Sequence, residues 1–140
     1  MIDFDNQTDK TIDITLLETI AKSLTSKEIE LMVCDADTIQ DINADTRNID
    51  KATDVLSFPY EAMPMAPLGS IVICEDIVTS VASGLNHSDD DERALLFIHG
   101  MLHILGFDHE CDNGEMREKE EALINQFGLP KSLIVRTEEL

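Results

Sequence analysis

Short stretches of the chain in which apolar residues alternate with polar ones, or run without interruption, predict β-strands. Residues 27–34 alternate and then become continuously apolar, which is typical of a strand that enters a core. Residues 54–58 form a shorter strand that Pro59 stops, and 68–74 are mostly apolar and β-branched. The weaker pattern at Ile2 and Phe4 predicts an edge strand.

Other stretches carry apolar residues at intervals of three or four, which predicts amphipathic helices between the strands. We predict a helix that Asp9 or Thr11 caps and that ends near Leu24, a second from Asp37 or Thr38 to Arg47, and others over 75–85, 88–105 and 112–127. Strands and helices alternate, so helices should pack on one small sheet. The length fits a single domain over 1–140.

One of these helices is apolar on all sides and should therefore be buried. From Ala94 to Leu105 every residue is apolar except His99, Gly100 and His103. The pattern predicts a central helix that lies across the sheet and presents its two histidines from inside the domain.

The stretch that contains this helix also holds the candidate chemistry. His99 and His103 are spaced i, i+4, so on a helix their imidazoles lie on one face, one turn apart. His109 reaches the same ion only if the helix breaks after His103. Gly106 can supply the break, because glycine accepts the left-handed conformation that ends helices. Three imidazoles with an open fourth position are typical of a catalytic zinc site, with one Zn²⁺ per chain.

The spacing of these histidines also matches the metzincin protease pattern, with one departure. Those enzymes carry a glutamate directly after the first histidine as general base. This chain has Gly100 there, which cannot take a proton from water. A zinc amidohydrolase or peptidase stays an alternative, but it is disfavoured.

Composition limits the partners and the compartment. The formal net charge is -19, so the surface as a whole is poor for nucleic acid, and any RNA contact needs a local basic patch. No apolar run is long enough for a membrane span, and the N-terminus does not resemble a secretory signal. Cys34, Cys74 and Cys111 form no C-x-x-C pair and read as free thiols of a cytoplasmic protein.

Four residues near the predicted site have both a functional and an ordinary interpretation. Arg47 can contact a phosphate through its planar fork, and Lys51 lies in the same loop, but both can equally be solvated surface charges. Asp108 can be a proton carrier or a turn residue. Cys111 can close the zinc site as a fourth ligand, although a bystander role is favoured.

Three segments in the same order resemble the YbeY family of bacterial endoribonucleases and rRNA maturation factors. Residues 99–109 resemble its H-G-x-L-H-L-x-G-[YF]-D-H signature, residues 50–59 its D-K-P-T-[DN]-V-L-S-F-P segment, and residues 68–74 its L-G-D-[IL]-V-I-C segment. The chain departs from the second segment at Ala52, where the family usually has proline.

The resemblance implies an α+β fold with a four-stranded mixed sheet and several helices. It implies zinc bound by His99, His103 and His109, and a functional arginine at Arg47. It implies cleavage of single-stranded RNA, maturation of 16S rRNA ends and ribosome quality control. Ribosomal or ribosome-assembly proteins are the expected partners. Neither DNA nor a membrane is expected as a partner.

We therefore predict a zinc-dependent endoribonuclease. Arg47, His99 and Asp108 are its candidate catalytic residues, and Arg47, Lys51 and Ser57 are its candidate substrate-binding residues. A non-catalytic ribosome-assembly module with structural zinc is the alternative from another class. The identity of the general base is open.

Overall fold

The fold is a four-stranded mixed sheet with five helices, seen here in a computed structural model that describes residues 1–131 and 133–134. The predicted domain 1–140 extends past these residues. The strands are β1 (Ile2–Asn6), β2 (Ile29–Cys34), β3 (Val55–Pro59) and β4 (Gly69–Cys74). The helices are α1 (Thr15–Leu24), α2 (Ala36–Arg47), α3 (Glu75–Leu85), α4 (Asp89–Ile104) and α5 (Glu115–Gln126).

The strand order is β1-β2-β4-β3, in which the first three strands of that order are parallel and β3 pairs antiparallel with β4. Both the α+β class and the four-stranded mixed sheet are thus confirmed. Pro59 is the last residue of β3, where it pairs with Gly69. Proline is tolerated there because β3 is an edge strand.

The two faces of the sheet are covered by different helices, because successive side chains of a strand point to opposite faces. Ile71 and Ile73 join the larger core, which includes residues of α1, α4 and α5. Val72 and Cys74 join a smaller cluster with Ile39 of α2. Helix α4 contacts both β3 and β4, so the predicted central helix lies on the sheet.

Helix α4 is buried over most of its length, as its sequence predicts. Twelve of its sixteen residues are buried, including His99 and Gly100. The Ser88 hydroxyl accepts a hydrogen bond from the Asp91 N–H and caps the start of the helix. In the part of the chain that is described, no helix has both the length and the apolar character to cross a bilayer.

Two helix starts differ from the sequence prediction. Helix α1 begins at Thr15, where the Asp13 carboxylate accepts the backbone N–H, and not near Asp9 or Thr11. Helix α2 begins at Ala36, one or two residues early, because Asp35 is the N-cap and accepts the Thr38 N–H. In both cases an aspartate closer to the helix accepts a free N–H group that the predicted start would have left to another residue.

Candidate metal centre

The structure brings the three histidines of residues 99–109 together at the C-terminal end of α4. The Nε2 atoms of His99 and His103 are 3.0 Å apart. The His109 ring centroid lies 5.5 Å from that of His99 and 5.6 Å from that of His103. One nitrogen from each ring lies within 4.8 Å of the other two, so the three side chains could hold a metal ion.

The return of His109 to this cluster depends on the turn that follows α4. Gly106 has a φ of 101°, which confirms the predicted helix break. Its N–H donates to the His103 carbonyl at 3.1 Å, and the Phe107 N–H donates to the Leu102 carbonyl at 2.9 Å. This pair of bonds is the Schellman arrangement, which reverses the chain after a helix.

A side chain at position 106 should therefore disturb metal binding through the backbone. We expect Gly106→Val to lower the free energy of unfolding by about 1–2 kcal/mol, because a β-branched residue is strained at this φ. It should also weaken zinc binding by roughly tenfold or more, since His109 loses its support. Melting curves of the metal-free protein and competition with a chromophoric chelator measure the two effects.

Gly114 provides the matched control, because its φ is 107° and a Cβ there also meets no atom within 4 Å. Gly114→Val should cost similar stability and leave zinc affinity unchanged. Equal zinc affinity in the two valine variants would show that the Gly106 turn does not position His109.

The chemistry of the three nitrogens fits a transition metal. The buried Nδ1 of His109 has no hydrogen-bond partner in the part of the chain that is described. Burial, together with the neighbouring His99 and His109 rings, lowers the pKa of His103. The neutral imidazole is the form that binds metal, so this shift favours binding at neutral pH. An all-imidazole set of this kind suits zinc.

The cluster opens into a polar cleft of about 630 Å³. Arg47 at the end of α2, Ser57 on β3 and Asp108 in the turn after α4 line this cleft. Six of the seven predicted site residues thus line one cleft, and Lys51 is the exception. The lining residues are Arg47, Asp54, Val55, Ser57, Pro59, His99, His103, Gly106, Phe107, Asp108, His109 and Glu110.

Lys51 does not line this cleft. It lines a neighbouring cavity of about 300 Å³, and Arg47 borders both spaces. The loop between α2 and β3 is fixed to the helix, because the buried Asn43 side chain donates to the Lys51 carbonyl at 2.9 Å. Lys51 therefore lies near the cleft, but it lines the adjoining cavity.

Asp108 lines the cleft and also stabilises the turn. Its carboxylate accepts the Glu110 N–H at 3.0 Å, and this bond together with the Cys111 thiol lowers the pKa of Asp108. The same contact raises the pKa of the Cys111 thiol, which keeps it protonated. Cys111 is exposed and is not part of the histidine group.

Cys111 should therefore be dispensable for metal binding. We expect Cys111→Ser to keep full zinc content and RNA cleavage within about twofold of wild type, because a protonated thiol is a poor ligand. Elemental analysis of the purified variant measures zinc directly. A variant that no longer holds stoichiometric zinc would instead identify a closed, structural site.

Gly100 has a packing role at the position where metzincins carry a glutamate. A Cβ at Gly100 would lie 3.2 Å from Cγ2 of Ile71 on β4. A side chain there requires Ile71 or α4 to shift. This contact disfavours the peptidase alternative, since the position faces the core.

Sequence reasoning missed one buried residue that contacts the cluster. Glu120 of α5 is 1% exposed, and its Oε2 lies 3.4 Å from Nδ1 of His99. A signal was present, because Glu120 falls four residues after Met116 and three before Leu123 on the buried face of the helix. A carboxylate in an apolar stripe indicates a specific partner.

Fold and site together define an α+β protein in which a buried helix presents a three-histidine candidate metal centre at an open polar cleft. Comparisons with known proteins agree with this class. The family model described as endoribonuclease YbeY matches residues 2–128. The chain belongs to this family.

Curated relatives resemble the chain over nearly its full length. A protein of Sulfurimonas denitrificans named endoribonuclease YbeY is 60% identical over 138 residues, with 99% of each chain covered. A protein of the same name from Wolinella succinogenes is 60% identical over 140 residues, with both chains fully covered. The solution structure of TM1509 from Thermotoga maritima superposes with a TM-score of 0.64 at 29% identity, covering 91% of this chain and 89% of that one.

Proposed function

We propose that this protein is a zinc-dependent endoribonuclease that cleaves single-stranded RNA. The observation that carries the proposal is the three-histidine cluster at an open cleft that Arg47 also lines. Membership of a family whose curated relatives are named endoribonuclease supports RNA as the substrate. The proposed setting is the cytoplasm, where one domain over 1–140 acts in 16S rRNA end maturation and ribosome quality control beside ribosomal or ribosome-assembly proteins.

In this proposal the three histidines hold one zinc ion. His99 and His103 use their Nε2 atoms, which already face each other, and His109 completes the set from the turn. Bound there, zinc would lower the pKa of a water molecule and supply positive charge for a phosphate group. The cluster holds no fourth ligand among the described residues, which favours an open catalytic site over a structural one.

Arg47 is the proposed phosphate-binding and charge-stabilising residue. It lies at the C-terminus of α2, and among described residues it forms no ion pair that would occupy its guanidinium. Its planar fork can therefore donate two hydrogen bonds to phosphoryl oxygens as negative charge develops there. Asp108 also lines the cleft, and its carboxylate is the proposed acceptor of a hydrogen bond from the attacking water.

The substrate strand is proposed to run from the histidines past Arg47 into the adjoining cavity. Ser57 offers a hydroxyl on the cleft wall, and Lys51 offers a cation to the next phosphate. Both cavities are open to solvent, so a strand whose bases are unstacked can follow them. This path accounts for a preference for single strands, because a duplex keeps its bases stacked and paired.

The proposal is tested by comparing one labelled RNA as a single strand and as a duplex. Protein stripped with chelator should cleave neither form, and zinc should restore cleavage of the single strand alone. Fragments of 16S rRNA precursor with their natural unpaired ends are the second substrate. Equal cleavage of strand and duplex, or cleavage that survives chelation, would contradict the proposal.

A further inference from the structure

We propose that Glu120 is a positioning residue for the metal centre: it holds the His99 ring in the orientation and tautomer that direct Nε2 at the ion. This role rests on the proposed zinc binding by the three histidines, but it concerns metal affinity and is independent of RNA cleavage. An acidic side chain of α5 here reaches a histidine of α4 inside the protein.

The burial of this pair requires an explanation. The side chain of Glu120 is 1% exposed and that of His99 is 8% exposed. A buried carboxylate loses its hydration, which is strongly unfavourable unless a partner compensates it. In the described part of the chain, the hydrogen-bond partner of the Glu120 carboxylate is Nδ1 of His99, at 3.4 Å.

The two nitrogens of His99 have different surroundings, and this difference assigns the tautomer. Nδ1 faces the Glu120 carboxylate, whereas Nε2 faces the other histidines. A neutral imidazole has one donor and one acceptor, and an ionised carboxylate only accepts. The proton therefore belongs on Nδ1, which leaves the lone pair of Nε2 pointing into the cluster.

Glu120 is the carboxylate that fits this role because its position is fixed. Helix α5 packs on α4, and the Glu120 neighbours on the same face, Met116, Leu123 and Ile124, are buried. The carboxylate also places one negative charge near a site of three neutral ligands, which offsets part of the charge of a divalent ion. The other two histidines differ, since among the described residues neither His103 nor His109 has a carboxylate oxygen within 4.0 Å of a ring nitrogen.

A carboxylate that orients a ligating histidine typically contributes about 10–100-fold to metal affinity. We therefore expect Glu120→Gln to lower zinc affinity about tenfold, because glutamine keeps an acceptor for Nδ1–H but loses the charge. Glu120→Met, which removes the acceptor as well, should lower it towards 100-fold. Competition of the metal-free protein against a chromophoric chelator for Zn²⁺ measures both constants.

The control is Glu121→Gln, which removes the same charge from the adjacent, exposed position of α5. It should bind zinc as wild type does. Circular dichroism of each metal-free variant verifies that it is folded at the temperature of the titration. If the methionine variant does not fold, the glutamine variant decides the question.

A second readout separates positioning from a purely structural role. Nitrogen NMR shifts of the metal-free wild type at about pH 8, above the ordinary imidazole pKa of about 6.5, should show His99 protonated at Nδ1. In Glu120→Met the two tautomers should be mixed. A His99 protonated at Nε2 in the wild type, or zinc affinity within twofold of wild type in a folded Glu120→Gln, would overturn the inference.

Discussion

Arg47→Ala should yield a folded, zinc-loaded protein that cleaves single-stranded RNA about 100-fold or more slowly than wild type. The large loss in rate is expected because, in the proposed mechanism, the guanidinium stabilises charge that develops on a phosphate bound in the cleft that Arg47 lines. The loss in stability should stay within about 0.5 kcal/mol, since Arg47 is exposed and forms no ion pair with a described carboxylate. Single-turnover cleavage and thermal melting measure the two quantities.

The matched control for this result is Arg117→Ala, which removes an exposed arginine from α5, away from the cleft. It changes the net charge equally and should leave the rate near wild type. Arg47→Lys should recover only part of the activity, because lysine keeps the charge and loses the planar fork. Assays at low and moderate salt exclude a pure screening effect, to which a chain of charge -19 is sensitive. Full activity of Arg47→Ala at both salt levels would refute the assigned role.

His103→Ala has the second large effect: it should abolish stoichiometric zinc binding and RNA cleavage together. Two histidines of the cluster remain. Removal of a direct ligand should lower zinc affinity by more than the about 10–100-fold that is typical when a residue that only contacts a ligand is replaced. Elemental analysis and chelator competition measure the zinc. The metal-free variant should still melt cooperatively, since the His103 side chain is partly exposed at the edge of the cleft.

The fourth histidine serves as the control for nonspecific loss of structure. His87 contacts Glu92, fully buried on α4, and lies outside the cluster. His87→Ala should therefore lower the melting temperature and keep one zinc per chain. If His103→Ala retains wild-type zinc content, the cluster is not the metal site.

The sequence predicts the elements well where one physical signal dominates. Helix α3 has the predicted bounds of Glu75–Leu85, and the all-apolar pattern after Ala94 identifies the buried helix α4. The predicted start of α1 was wrong because several polar residues before Thr15 can accept the free N–H groups of the first helical turn. Only the three-dimensional path of the loop decides that Asp13 does so.

The same limit applies to the site. The histidine cluster is predictable because its three members and the Gly106 turn lie within eleven residues, so local helix geometry determines their distances. Glu120 depends on how α5 packs against α4, which no local pattern specifies. The separation of Lys51 from the cleft likewise depends on the path of its loop, in which the Asn43 side chain donates to the Lys51 carbonyl.

The most direct test of the whole account is a zinc titration of metal-free wild-type protein in which bound zinc and RNA cleavage are measured on the same samples. We predict that both rise together and that cleavage reaches its plateau at one zinc per chain. Full cleavage before zinc is added, or one tightly bound zinc per chain with no cleavage of single-stranded RNA, would contradict it.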